Sequence, residues 1–582
     1  MSGRMPHSRA TRHSSLATHP RTSGTPRMSE LPAFLRLLFG YEEGLPLTFT
    51  QLFFWGFFVV VLAGFAVVHK RIAVRNAWLF VASLFFYYKT SGLFVLILLF
   101  STVSDFTIAH LIHRATSLSH KRLWLALSVS INLLLLGYFK YAHFLVENIN
   151  RAFGTHYVEI NWFAQWGNGL FGTSHVVDRI LLPVGISFFT FQAISYAVDV
   201  YRDEIKPVRG ILDFGFFVSF FPQLVAGPIV RAAAFIPQVL APYQLSRRDF
   251  GLAVFWILNG LVKKVVIGDH IALNFIDRVF NDPMRYSGFE CMMALFAYSL
   301  QVYADFSGYT DIAIGVALLM GFKLATNFNS PYKAVHVGEF WKRWHMSLST
   351  WLRDYLYIPL GGNRGASLGT WICLGLLVGV AVLLSGAFWL VPLALAVVAL
   401  GVLLARWIPG FNNWTTTNAN LMITMLLGGL WHGASWMFVI WGGLNGLALV
   451  FYKAWSKVSP WKHATGWAAH ASAVLVTLTF ITFTRIWFRS PTLEVANSIL
   501  HQIGYAFSPS VIPAVLVGFK SVFALMLLGY VIHWLPTSFK RTYRERFADL
   551  PLWAMGLVCT GVVFMTYQFA AAGSVPFIYF QF

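Results

Sequence analysis

Long apolar runs separated by short polar ones make up most of the chain. They lie near 49–68, 77–89, 92–112, 123–139, 181–200, 250–268, 290–318, 434–451, 470–488, 520–536 and 553–571. Most approach the roughly 20 residues that cross a bilayer. They lack strict alternation, which selects helices over a closed barrel. A different pattern follows: Val337, Phe340, Trp341, Trp344, Leu348, Trp351, Leu352 and Tyr355 recur at helical spacing. Lys342, Arg343, Ser349 and Arg353 take the opposite face. This predicts one amphipathic helix, too charged to span, at the interface or folded into the bundle. His345 sits at its border. Residues 211–226, followed by Pro228, read as a segment that dips in and returns. Residues 368–405 read as a peripheral apolar hairpin inserted at about 366–408. The run 419–430 is too short to cross alone. His432 lies where it joins 434–451, beside Gly428, Gly429 and Gly433, which allow a helix break or close backbone approach.

Composition fixes the class. Of 582 residues, 57% are hydrophobic and 11% charged, against about a quarter charged in a soluble protein. The expected fold is all-α: a polytopic membrane protein of about eleven to fourteen transmembrane helices, with re-entrant and amphipathic helices around a central tunnel. A net charge of +20 does not indicate nucleic acid, because the basic residues sit in short loops as the positive-inside rule requires. Lys70, Arg71 and Arg75 place the first loop in the cytoplasm. The same logic places KRTYRER at 540–546 inside and the C-terminus outside. Residues 1–27 are basic, without an acid, and read as disordered. A short interfacial helix follows before residue 49. Basic residues on the outer side conflict with the charge rule, so translation is expected to start at Met28. Cys291, Cys373 and Cys559 lie in apolar segments and offer neither a disulfide framework nor metal spacing.

Polar chemistry inside so apolar a chain is costly, so the few intramembrane polar residues mark candidate sites. Asp305 and Asp311 fall at membrane depth and are expected to pair with buried Arg, Lys or Tyr groups. Lys263 and Lys264 are either snorkelling anchors or a draw for an anionic donor. His345 and His432 could each serve as a base near neutral pH. A lone histidine in an apolar segment is, however, more often a hydrogen-bonded core residue. No H-x-x-x-H or similar spacing points to metal.

One ordered set of motifs changes that balance. DFSGYTDIAIG at 305–315, NFNSPY at 327–332, FWKRWHMSLSTWLRDYLYIPLGGNRG at 340–365, GGLWHGASW at 428–436 and PFIYFQF at 576–582 occur in sequence. RNAWLFVASLFFYYKTSGLF at 75–94, FPQLVAGPIVR at 221–231 and LVKKVVIGD at 261–269 accompany them. Together they resemble the membrane-bound O-acyltransferase family over nearly the whole chain from Met28. The likeness is to the bacterial branch typified by the membrane protein of alginate O-acetylation. That resemblance implies a catalytic His432 and leaves His345 either catalytic, substrate-positioning or structural. Trp431, Trp436, Asp305, Asp311, Lys263 and Arg353 are the candidate substrate-binding residues. The implied activity is transfer of an acetyl group from a cytoplasmic thioester toward hydroxyls of an extracytoplasmic polysaccharide. Acetyl-CoA is the expected donor, an acyl carrier the variant, and no bound cofactor is expected. Bacterial members of the family act with separate serine-hydrolase-type transferases, and the absence of a G-x-S-x-G here fits such a partner. The expected location is the bacterial inner membrane. Two alternatives stand: D-alanyl transfer to teichoic acid, and a transporter or flippase for lipid-linked sugar. The C-terminal PFIYFQF and the chain length weigh against the first, and the lack of an internal repeat against the second.

Overall fold

The structure, a computed structural model, describes residues 39–41, 46–171, 177, 180–461, 466–571, 573 and 575–578. The basic tail, the Met28 start, the interfacial helix and the last four residues of PFIYFQF lie outside the described residues. Every regular element among the described residues is helical. The principal helices are α1 (Leu52–Val68), α2 (Ile72–Ser91), α3 (Val95–Arg114), α4 (Leu118–Leu136), α5 (Ile186–Tyr201), α6 (Arg247–Leu261), α7 (Gly288–Leu319) and α8 (Val337–Arg343). They continue as α9 (Met346–Leu352), α10 (Leu368–Ser385), α11 (Leu390–Trp407), α12 (Phe411–His432), α13 (Trp436–Val458), α14 (Trp467–Arg489), α15 (Lys520–Trp534) and α16 (Leu552–Ala571). By length and apolarity seven described helical segments could each cross a membrane, and nine if each of two bent pairs counts as one. The count of eleven to fourteen is not reached on that criterion. Other bundle helices are short, or carry buried polar groups as α7 does.

α7 is the axis of the bundle. A capping box starts it: Ser287 Oγ accepts from the Glu290 amide, and Glu290 Oε2 accepts from the Ser287 amide at 2.9 Å. Its 32 residues extend about 48 Å at 1.5 Å per residue. α6 packs antiparallel on it so closely that a Cβ on Gly260 would lie 2.4 Å from the Gly308 carbonyl oxygen. Small residues are what permit such approach in lipid, where packing rather than water drives helix association. Directly beyond that crossing, residues 262–269 widen into a π turn. The turn sends two successive lysines against one partner helix. Lys263 Nζ lies 2.7 Å from Asp311 Oδ2, an oxygen that also accepts from Asn259 Nδ2 at 2.7 Å. Lys264 Nζ lies 2.5 Å from Asp305 and 2.7 Å from Asp269.

Two expectations need correction. The amphipathic stretch is two helices, α8 and α9, broken at Trp344–His345, and its apolar face is inside the bundle, with Phe340, Trp344, Leu348 and Trp351 all buried. The run 419–430 belongs to the 22-residue α12 and passes straight through Gly428 and Gly429. Those glycines do not break the helix. α12 and α13 form an antiparallel hairpin, and a Cβ on Gly429 would meet the Phe438 carbonyl oxygen at 2.3 Å. The segment after α16 packs into the bundle. Residues 575–578 fold back, so that the Ile578 amide donates to Asp305 at 2.9 Å and the Val575 carbonyl accepts from Lys264 at 2.8 Å.

Between α5 and α6 the chain makes short helices, Ile211–Ser219, Phe221–Leu224 and Ala232–Val239, whose phenylalanines are buried. α10 and α11 form a hairpin in which most large apolar side chains are exposed, Trp371, Trp389 and Trp407 among them.

Two stability outcomes follow from this packing. Lys264→Met strips the cation from two buried carboxylates, and breaking such a buried pair costs about 3–5 kcal/mol. Thermal melts in detergent should show a large loss, partly restored when Asp269→Asn is added. Trp371→Ala, on the exposed hairpin, should change stability by less than about 0.5 kcal/mol in the same assay.

Candidate active site

His432 is the last residue of α12, and Gly433 opens the tight link to α13. Its side chain is 5% exposed and is enclosed by rings. Trp431, Trp441 and Phe488 meet it edge-on at centroid distances of 5.0, 5.1 and 5.4 Å. His345 is fully buried, with its ring 4.7 Å from Phe306 and 5.8 Å from Trp431. Trp431 therefore contacts both histidines.

The break that aims His345 inward is built by a distant segment. His345 has φ +43°, a left-handed conformation that costs a non-glycine residue about 1–2 kcal/mol. Asn327 holds it there. Its Oδ1 accepts from the Ser347 amide at 3.1 Å and from Ser347 Oγ at 2.9 Å, and lies 3.2 Å from His345 Nδ1. The Asn327 carbonyl accepts from the Met346 amide at 2.9 Å. Strain of this kind persists only where the surroundings over-determine it, and it clusters at functional sites.

The final carbonyls of an α-helix have no partner within the helix. Here another segment supplies them. A π turn at Gly137–Tyr141 points Lys140 and Tyr141 at the end of α12. Lys140 Nζ donates to the Trp431 carbonyl, lies 3.4 Å from the His432 carbonyl oxygen and bonds Ser187 Oγ at 3.3 Å. Tyr141 donates to the Leu430 carbonyl at 2.8 Å. The ammonium thus sits at the negative end of the helix dipole, where a cation is stabilising.

Two cavities adjoin the histidine. One, of about 100 Å³, is lined by Lys140, Leu182–Phe188, Val225, Trp431 and His432, with Leu182 exposed at its rim. The other, of about 10 Å³, is lined by Val302, Phe306, Trp344, Trp441, Arg485, Phe488, Ile578 and again His432. His432 is the residue common to both.

Of the residues expected at the site, His432, His345 and Trp431 come together. Trp436 is directed elsewhere: it donates to Asn148 Oδ1 at 2.8 Å and packs on Phe144. Asp305 is buried behind Phe306, paired with Lys264 and the returning C-terminal segment. Asp311 and Lys263 are occupied with each other in the α6–α7 contact. Arg353 is exposed, pairs with Asp354 and lines neither cavity. Burial acts against the Asp354 carboxylate, but hydrogen bonds from Arg353 and Arg231 hold it below its usual range. None of these four carboxylate and cation groups is free to meet a substrate at His432. Sequence reasoning missed Lys140, Arg485 and Asn327. The signal for the first two was present: a single cation inside LLLLGYFKYAHF and another inside TFTRIWF. Such residues mark functional sites in membrane segments.

Comparison with known proteins agrees with this layout of motifs. The model of the membrane-bound O-acyltransferase family matches residues 202–397. The chain is 35% identical over 480 residues to the peptidoglycan O-acetyltransferase of Helicobacter pylori, covering 78% of each. It is 39% identical over 334 residues to the probable alginate O-acetylase of Azotobacter vinelandii, covering 57% of this chain and 54% of that one. A teichoic acid D-alanyltransferase of Bacillus subtilis is 24% identical over 318 residues, 53% of this chain and 69% of that one. The chain belongs to the membrane-bound O-acyltransferase family. It is a multi-pass membrane O-acyltransferase.

The cap on α12 yields a direct test. Lys140→Met leaves buried carbonyls of α12 short of a donor, at a cost of about 1–3 kcal/mol. Hydrogen exchange should speed at the amides of the last α12 turn and stay unchanged in α10 and α11.

Proposed function

We propose that the protein moves an acetyl group from a cytoplasmic thioester, acetyl-CoA, to hydroxyls of an extracytoplasmic polysaccharide, with His432 as general base. The observation that carries this reading is the position of His432 as the one residue shared by two cavities. A base reached from two sides can take a proton from an acceptor on one side while a donor carbonyl lies on the other. His345, held in strained backbone and linked to His432 through Trp431, positions the site. Asp305, Asp311 and Lys263 hold the bundle around it.

Sidedness supports the direction of transfer. α13 ends at Lys453 and Lys457, and α4 begins beside Lys121 and Arg122, so these ends face the cytoplasm. The tip of the α12–α13 hairpin and the Lys140 cavity lie at the opposite ends of those helices. The acceptor then approaches from outside, through the larger cavity, and the protein resides in a bacterial inner membrane. The polysaccharide hydroxyl is reached directly or through a partner transferase of the serine-hydrolase type. Acetyl is favoured over D-alanyl because O-acetylating relatives are 35–39% identical and D-alanylating ones 24–27%.

Purified protein incubated with acetyl-labelled CoA and a hydroxyl acceptor tests the reading. His432→Ala should keep its melting temperature, since little apolar contact is lost, and slow transfer by about 10²–10⁴-fold, the range of general-base help. His345→Ala should slow it less. A well-folded His432→Ala protein with full activity removes the mechanism and brings the transporter reading forward.

A further inference from the structure

The small cavity beside His432 holds a second chemical group that the mechanism above leaves idle. Arg485, in α14, is 1% exposed. Its neighbour Arg489 pairs with Asp277 at 2.8 Å, but among the described residues no carboxylate lies within ion-pair distance of Arg485. Its guanidinium is stacked 4.7 Å from the Trp344 ring centre and 5.2 Å from that of Phe488, with the Tyr332 phenol nearby. Its Nε has no hydrogen-bond partner among the described residues. Burying a guanidinium without an anion is among the most costly arrangements in a protein interior. The rings offset part of that cost through cation–π attraction. Full compensation requires negative charge.

The cavity says what kind of charge fits. At about 10 Å³ it is the size of one oxygen atom or one water. Arg485 lines it from one side and His432 from another, with Phe306, Trp344, Trp441 and Phe488 excluding bulk water. A phosphate or a sugar does not fit. One oxygen does, next to a base, in a dry site where a fixed donor is worth most.

We infer that this cavity is an oxyanion site in which Arg485 binds the thioester carbonyl oxygen and stabilises the negative charge that develops there. The inference rests on the acyl-transfer reading above. In the step, the acceptor hydroxyl oxygen bonds to the carbonyl carbon and its proton passes to the His432 imidazole. The carbonyl π pair moves onto oxygen, where the guanidinium donates to it. When the pair returns, the carbon–sulfur bond breaks, and the thiolate leaves with the proton from His432. The products are an ester and a free thiol, and no further reactant is needed. Trp344 and Phe488 hold the guanidinium plane in place before the charge appears.

The test compares two donors, acetyl-CoA and chloroacetyl-CoA, on wild type, Arg485→Gln and Arg485→Lys in detergent, with melting curves alongside. Removing one oxyanion donor lowers kcat by about 10²–10³-fold. Arg485→Gln should show that loss with acetyl-CoA, with donor KM nearly unchanged. With chloroacetyl-CoA the loss should shrink about tenfold, because the electron-poor carbonyl needs less help. A folded Arg485→Gln with kcat near wild type overturns the inference. So does an equal loss with both donors, which marks a structural role. If Arg485→Gln does not fold, Arg485→Lys is judged on the same two measurements; if neither folds, Arg485 is structural and the inference falls. Failure of wild type to transfer from either donor sinks the acyl-transfer reading itself, a result separable from an active Arg485→Gln.

Discussion

The structure depends first on the pairing of two adjacent lysines with carboxylates of the central helix. Lys263 meets Asp311, and Lys264 meets Asp305 and Asp269. Adjacent residues of a regular helix point about 100° apart, so the two lysines reach one partner helix from different directions. The π turn at 262–269 brings those directions closer. Buried ion pairs add little net stability compared with apolar packing, and their best-attested role is to fix register. Here register is what matters. One turn of slip between α6 and α7 would leave Asp305, Asp311 and Lys263 unpaired in the membrane and Lys264 with Asp269 alone. It would also move Val302 and Phe306, which wall the small cavity, and release the 575–578 segment that Asp305 and Lys264 pin.

From that fixed axis, polar order spreads by way of helix ends. α7 leads into the irregular stretch holding Asn327, and Asn327 imposes the break at His345. On the other side, the end of α12 brings three consecutive carbonyls, from Leu430 to His432, to the π turn carrying Lys140 and Tyr141. Both histidines therefore occupy positions where a helix begins or stops. There the backbone polar groups that helices normally satisfy must be met by side chains. The site is the place where the bundle cannot be all apolar.

This explains which parts could be read from sequence. The spans α2 to α4, α13 and α14 were legible because periodicity and length are local properties. The buried face of the amphipathic stretch, from Phe340 to Trp351, was legible for the same reason. The break within it was not: Trp344–His345–Met346 contains neither glycine nor proline, and the cause is Asn327, 18 residues away. Gly428 and Gly429 left both a break and a close crossing open; the position of α13 decides for the crossing. Lys140 ends the apolar run 123–139, and a lysine there ordinarily snorkels, so nothing local marks it as the cap of a distant helix. Arg485 passed unnoticed inside α14. The return of 575–578 was hidden because its partners, Lys264 and Asp305, are about 300 residues earlier. Asp305 and Asp311 were expected to find buried basic partners, and they did; which lysine served which carboxylate was set by the π turn.

The two cations near His432 differ in what they are free to do, and that difference gives the site a direction. Lys140 is directed at main-chain carbonyls at the end of α12, where its charge faces the negative pole of the helix. Its effect on the larger cavity is to satisfy carbonyls that the end of α12 leaves without a donor, so that its own donors are already engaged. Arg485 faces rings and one phenol, which answer its charge only in part. Negative charge appearing anywhere around His432 is therefore drawn toward the smaller cavity. In the transfer we propose, a hydroxyl losing its proton to His432 would become electron-rich on the Lys140 side, and the electrons pushed into a carbonyl would end on the Arg485 side. Charge would then move toward the cation whose Nε has no partner among the described residues. Such a gradient is fixed by folding before any substrate arrives, which is the form of electrostatic assistance that costs nothing to reorganise at the moment of reaction.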